Sequence, residues 1–253
     1  MTTTQQKGEP KSGPEIVLHQ APPAFGVQNP SPFCLKLETW LRLAELPFRI
    51  KKCRDPRKGP KGKIPFIEIE GTVLGDSEHI IETLSDRFGV DLDKGLNPAD
   101  RAAGHAFRRM FEEHLYWILV YSRWLEDEPF EVLNKAFFSK LPPVLRSIVP
   151  VVAKRSLRKT LHAHGLGRHT PKQIYAKAEQ DLQAASDFLG DKPFFLGKQP
   201  RTVDASAFGV LTGMIDATLK TPLTPIAAKF ENLTAYTSRM NEHAYANRAA
   251  TAA

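Results

Sequence analysis

Three short stretches of the chain combine residue types at positions where they could do chemistry. The first is Ser31-Pro32-Phe33-Cys34, which sits where a helix must begin. A helix N-terminus presents unpaired N–H groups and a partial positive charge, so it stabilises an anion held there. Ser31 brings a hydroxyl to that position, to serve a bound anion or simply to cap the helix. Cys34 lies one turn in, where a buried small apolar residue is the favoured reading. The second stretch is Lys63-Ile64-Pro65, a cation and an X-Pro bond immediately before an apolar strand. The third is Asp76-Ser77, a polar pair ahead of an apolar-periodic run, suited both to capping a helix and to binding a charged ligand.

The elements that must position these groups can be read from periodicity. Residues 15–20 (EIVLHQ) are bounded by prolines and predict a buried strand. Leu37, Trp40, Leu41 and Ala44 recur at helical spacing behind Ser31, with Pro32 at N1, and Pro47 ends that helix. PFRIK is a second strand. IPFIEI and TVLG, joined by Glu70-Gly71, predict a hairpin. Ile80, Ile81, Leu84 and Phe88 mark the next helix. Residues 15–88 thus order as β-α-β-β-β-α, with an irregular helix expected in the 53–62 loop.

Strand signals are absent after Asn97. A single long helix is expected over 98–126, carrying Phe107, Phe111, Leu115, Ile118 and Leu119. Pro142-Pro143 and Pro150 are expected to break the next stretch into shorter pieces. Thr170-Pro-Lys-Gln173 is a capping box opening a helix with Ile174, Ala178, Leu182, Ala185 and Leu189 on one face. Thr202 is expected to cap another helix, with Asp204 two residues on, and the last helix falls near 230–243. The order predicts an α/β domain over 15–89 followed by an all-α domain over 97–246.

Composition narrows the function classes. The 253 residues are 42% hydrophobic and 25% charged, ordinary for a soluble globular protein. No apolar run is long enough to span a bilayer. Residues 1–14 lack the apolar centre of a secretory signal and predict a disordered tail. Two cysteines, Cys34 and Cys53, exclude a disulfide framework. The histidines at 105, 114, 162, 164 and 169 have no metal-ligand spacing, so no metal is expected. A cytoplasmic location is expected. The net charge of +7 is concentrated: between Glu131 and Glu179 the sequence holds ten Lys or Arg and no acid. It lacks a base-reading motif, so nucleic acid is not an expected partner.

Taken together, SPFC opening a helix, Lys-Ile-Pro before a hairpin and Asp-Ser before the next helix resemble the glutathione transferase superfamily. More narrowly, SPFCLKLETWLRLAELPF, GKIPFIEIEG, GDSEHIIETL, HGLGRHTPKQI and LGDKPFFLGKQPRTVDASAFGVL resemble its failed axon connections branch, related to metaxins. The resemblance covers roughly residues 15–245. It implies a thioredoxin-like domain followed by a helical one, with glutathione as co-substrate. Thioredoxin-like proteins often carry CxxC where this chain has Ser31 to Cys34. A serine cannot form a mixed disulfide, which argues against redox chemistry.

The resemblance also implies roles. Ser31 would donate to the glutathione thiolate and activate it, with Phe33 beside it. Ile64-Pro65 would be cis, baring the backbone of Ile64 for the cysteinyl part; the other reading is a trans proline starting an edge strand. Asp76 and Ser77 would hold the γ-glutamyl end, as well as or instead of capping their helix. Lys63 would meet the glycyl carboxylate or remain a solvated loop lysine. Asp204 is read as structural. A second-substrate pocket would be lined by Phe25, Phe111, Tyr116 and Trp117, with Tyr121 nearby. The implied activity is conjugation of glutathione to a small hydrophobic electrophile, as in detoxification, in a homodimer. The alternative is a non-catalytic, metaxin-like adaptor that docks on membrane or protein through the basic segment 132–178.

Overall fold

The computed structural model describes residues 14–246, so all of the expected N-terminal tail except Pro14 lies outside the described residues. Four strands form one mixed sheet: β1 (Ile16–Gln20), β2 (Phe48–Lys52), β3 (Phe66–Ile69) and β4 (Thr72–Gly75). Their order is β2-β1-β3-β4, with β1 parallel to β2 and the other pairs antiparallel. The hairpin turns at Glu70-Gly71, both with positive φ (47° and 77°), the primed geometry that matches strand twist. Helices α1 (Pro32–Leu43) and α2 (Ser77–Phe88) bury Leu37, Trp40, Leu41, Ile80, Ile81 and Leu84 with Ile16, Leu18 and Ile67 of the sheet. A short 3-10 turn at Pro56–Lys58 occupies the irregular loop.

The remaining elements are helical: α3 (Pro98–Arg109), α4 (Tyr116–Trp124), α5 (Asp127–Phe138), α6 (Pro143–His164), α7 (Pro171–Leu189), α8 (Thr202–Ile215), α9 (Leu223–Ala227) and α10 (Glu231–Tyr245). The helix expected over 98–126 is not uniform, because Met110–Leu115 forms a π turn between α3 and α4. Nor does Pro150 break its segment. It lies buried inside the 22-residue α6, which continues through it even though an interior proline removes one N–H bond and crowds the carbonyl four residues back. Thr170 and Gln173 make the expected capping box, and all five predicted apolar positions of α7 are buried.

The start of α8 also differs from expectation. Arg201, not Thr202, is the cap, which places Asp204 at the third helical position. Arg201 N–H donates to Asp204 Oδ2 at 2.7 Å, and Phe195 N–H donates to Oδ1 at 3.0 Å. Tyr236 Oη donates to the same carboxylate at 3.1 Å. Asp204 thus ties the start of α8 to the Phe195 turn and to α10.

Helix α8 joins the two halves of the molecule. At Gly209 an added Cβ would lie 2.6 Å from the Pro32 carbonyl oxygen and 3.2 Å from Lys36 N. Only glycine lets the α8 backbone touch the first turn of α1 this closely.

Candidate active site

Strand register brings the three sequence-predicted stretches to one end of the sheet. Phe66 lies opposite Gly75 in the β3–β4 pair, so Pro65 and Asp76, the next residues outward, face each other. His19 lies opposite Phe66 in the β1–β3 pair, so β1 ends at Gln20 beside Pro65. The loop from Ala21 then leads into Ser31 at the start of α1. Asn29 fixes that loop: its Nδ2 donates to the Ala21 carbonyl at 2.8 Å, and its Oδ1 accepts the Ser31 N–H at 3.0 Å.

Ser31 occupies the cap position of α1 with extended backbone, but its side chain makes no capping bond. The hydroxyl is close enough to the Cys34 thiol that it, like the Ala21 backbone, favours the thiolate form of that group. Cys34 is completely buried. Burial pushes its thiol up to about 12, and the Ser31 contact offsets only part of that shift. A neutral thiol is a weak acceptor, so Cys34 competes little for the Ser31 hydroxyl. Pro32 has no N–H, and the N–H groups of Phe33 and Cys34 fall in the unpaired first turn. Phe33 is half-buried and packs its ring on Tyr116 of α4, centroids 4.7 Å apart.

The Ile64–Pro65 peptide bond is cis. Across from it, Asp76 has φ +80° and ψ 115°. This conformation costs a non-glycine residue roughly 1–3 kcal/mol, and such strain clusters at functional sites. Asp76 Oδ1 accepts the Glu78 and His79 N–H groups at 3.1 and 3.4 Å. Burial acts against its ionisation, but those two donors and Lys61 outweigh it and hold the carboxyl below its usual value. Ser77, the first residue of α2, is buried at its N-terminus.

Lys63 is exposed, as is Lys61 in the same loop. Lys61 Nζ lies 3.6 Å from Asp76 Oδ2.

Two further groups went unrecognised. Lys36, on α1, is buried and pairs with Glu78 of α2 and Glu112 of the π turn, both at 2.7 Å. Arg108 Nη1 donates to Glu78 Oε1 at 2.6 Å, and Ser206 of α8 donates to Glu112 at 2.5 Å. Burial disfavours the Glu78 charge, yet Lys36, Arg108 and Arg109, whose Nη2 lies 3.6 Å from Glu78 Oε2, hold its carboxyl below its usual value. The network locks α1, α2 and the helical half together directly behind Asp76-Ser77. Arg123 of α4 is buried on the other side, donating to the Pro30 and Gly213 carbonyls at 2.8 and 2.9 Å.

The predicted aromatic pocket is only partly assembled. Tyr116 touches Phe33 and Trp117, and Trp117 extends the row to His164. Burial raises the Tyr116 hydroxyl. Phe25 (φ +56°) instead meets Phe137 of α5, at 5.7 Å between centroids. Phe111 is completely buried against Phe195 in the helical core, the place its helical spacing with Leu115, Ile118 and Leu119 gives it, so it presents no surface to a second substrate. Tyr121 pairs with Tyr175 at 6.1 Å.

Comparison with known proteins agrees with this layout. Residues 32–129 match the model of the glutathione S-transferase N-terminal domain, and residues 178–240 match that of the C-terminal domain. Failed axon connections of Drosophila melanogaster is 34% identical over 85% of this chain; the chain spans 54% of that relative's length. Human metaxin-2 is 26% identical over 85% of this chain and 82% of its own length. Among solved structures, glutathione S-transferase III in its apo form superimposes with a TM-score of 0.57 at 16% identity, covering 90% of this chain and 91% of that one. The isoprene-epoxide–glutathione S-transferase of Rhodococcus is 32% identical over 79% of this chain and 87% of its own length, and on that likeness the chain belongs to the glutathione S-transferase family.

Proposed function

We propose that the protein binds glutathione at the sheet end described above and transfers it to a small hydrophobic electrophile. The observation that carries this reading is the convergence of Ser31, the cis Ile64–Pro65 bond and the strained Asp76 through strand register. In this reading Ile64 pairs its backbone with the cysteinyl part of glutathione. Ser77 and the α2 N-terminus take the γ-glutamyl carboxylate, and Asp76 lies near the ammonium. Lys63 or Lys61 meets the glycyl carboxylate. The thiol reaches the N-terminus of α1 beside Phe33. There the Ser31 hydroxyl donates to the glutathione thiolate, a stronger acceptor than a neutral thiol, and lowers the thiol pKa. The rate gain comes from a larger thiolate fraction and from proximity.

The name of the Rhodococcus relative supports an epoxide-like electrophile. Solved neighbours that hold glutathione or glutathione sulfonate support the ligand. Phe33, Tyr116 and Trp117 are the aromatic surface for the second substrate.

Isothermal titration with reduced glutathione tests the site. Saturable one-site binding, weakened in Ser77→Ala, is expected, followed by conjugation of a chlorinated aromatic that falls in Ser31→Ala. A turnover unchanged by Ser31→Ala would remove the activating role. No heat at millimolar glutathione would favour the second reading, a non-catalytic adaptor, for which the exposed apolar residues of α6 speak.

A further inference from the structure

Helix α6 is an unusual surface helix. Of its 22 residues only Pro150 and Leu161 are buried. Val144, Leu145, Ile148, Val151 and Val152 are 67, 47, 51, 65 and 59% exposed. Helical spacing continues the Val144–Ile148–Val151 row into Arg155 and Lys159, which are exposed, with Arg158 alongside. One stripe is therefore apolar for two turns and cationic for the next two. An open groove between α5 and α6 runs beside it, lined by Phe130, Val151, Lys154, Arg155, Arg158 and Lys159. Lys154 is engaged with Asp127 at 2.7 Å and with the Phe130 ring, whereas no ion pair within 4 Å is found for Arg155, Arg158 or Lys159 among the described residues.

We propose that this face docks on an anionic phospholipid bilayer. The Val144–Val152 half would enter the boundary between headgroups and acyl chains, with Arg155, Arg158 and Lys159 at the lipid phosphates. Charge complementarity selects this occupant. The segment between Glu131 and Glu179 has ten cations and no anion, so a second copy packed face to face would set like charges against each other. Nine residues at 1.5 Å each span only about 13 Å, a depth suited to the interface and not to crossing. The inference is independent of glutathione binding.

Co-sedimentation with vesicles of phosphatidylcholine, with and without phosphatidylserine, tests it at low and physiological salt. Binding is expected with the anionic vesicles and should weaken as salt rises. An Arg155→Glu/Lys159→Glu variant should lose on the order of 25-fold in affinity or more, at about fivefold per removed charge. Val151→Asp should lose a comparable amount while its near-ultraviolet circular dichroism stays native. No sedimentation with anionic vesicles at low salt would overturn the proposal. So would binding that survives both variants, or a concentration-dependent dimer in ultracentrifugation that Val151→Asp abolishes while vesicles bind nothing.

Discussion

Arg123 holds the carbonyl of Pro30, the residue before Ser31, in a 2.8 Å hydrogen bond from Nη1. Its Nη2 donates to the Gly213 carbonyl near the end of α8, and its Nε–H finds no acceptor among the described residues. Burial lowers the guanidinium to about 10, so it remains charged at neutral pH. A cation with no carboxylate beside it among the described residues is thus fixed behind the α1 N-terminus by two backbone oxygens. Arg123→Met should leave both carbonyls without this donor and destabilise the protein by roughly 2–5 kcal/mol. Urea unfolding measures it. A loss below ~0.5 kcal/mol would mean that water replaces the guanidinium without cost.

Two glycines of α8 make that arrangement possible, and they should respond differently to an added methyl. A Cβ at Gly209 meets a backbone oxygen, that of Pro32, at 2.6 Å. At Gly213 it meets the tip of the Arg123 side chain, also at 2.6 Å. Overpacking costs typically 1–3 kcal/mol. Gly209→Ala should fall at or above the upper end, because α1 must move as a unit. Gly213→Ala should cost less alone and add little to Arg123→Met. Full additivity in that double-mutant cycle would contradict the contact.

Legibility in the sequence went with repetition. The strand run 15–20, the Glu70-Gly71 turn and the α7 face each have a period or a turn chemistry of their own. The site stretches were legible because each sits at an element boundary marked by proline or a capping residue. Lys36 and Arg123 were not. Each sits in a helix whose pattern assigns charged residues to solvent, and only the partners that arrive from α2, the π turn and α8 make burial tolerable. The π turn left no signal either, since one wide turn does not interrupt the apolar pattern: Phe111, Leu115, Ile118 and Leu119 are all buried as their spacing predicts. That spacing puts Phe111 in the core; only the resemblance placed it in a pocket.

The two cysteines give a direct check on the environment of Ser31. Cys34 is inaccessible and its thiol is raised to about 12; Cys53 is buried and donates to the Asp55 carbonyl at 3.2 Å. Alkylation requires an exposed thiolate. Native protein at pH 7.5 should therefore resist iodoacetamide for hours, and protein in denaturant should take up two labels. Rapid single labelling at Cys34 in the native state would mean that the first turn of α1 opens, and that the redox reading set aside on the serine needs a second test.

Asp204 yields a pH dependence whose sign can be worked out. Burial raises its carboxyl to about 6 in the folded protein, against an ordinary 3.8, despite donors from Phe195, Arg201 and Tyr236. Between those values the folded state binds more protons than the unfolded one. Stability from this group is then full below about pH 4 and is lost as pH rises through 6. Asp216 is raised by burial as well, so the effect must be isolated as a difference between wild type and Asp204→Asn. Asparagine turns one acceptor into a donor facing a backbone N–H, which should cost about 1–3 kcal/mol. Urea unfolding at pH 4.5 and pH 7.0 should find the gap between the two proteins narrower at the higher pH. A gap that widens instead would mean that the three donors outweigh burial, and that Asp204 is held as a carboxylate well below 6.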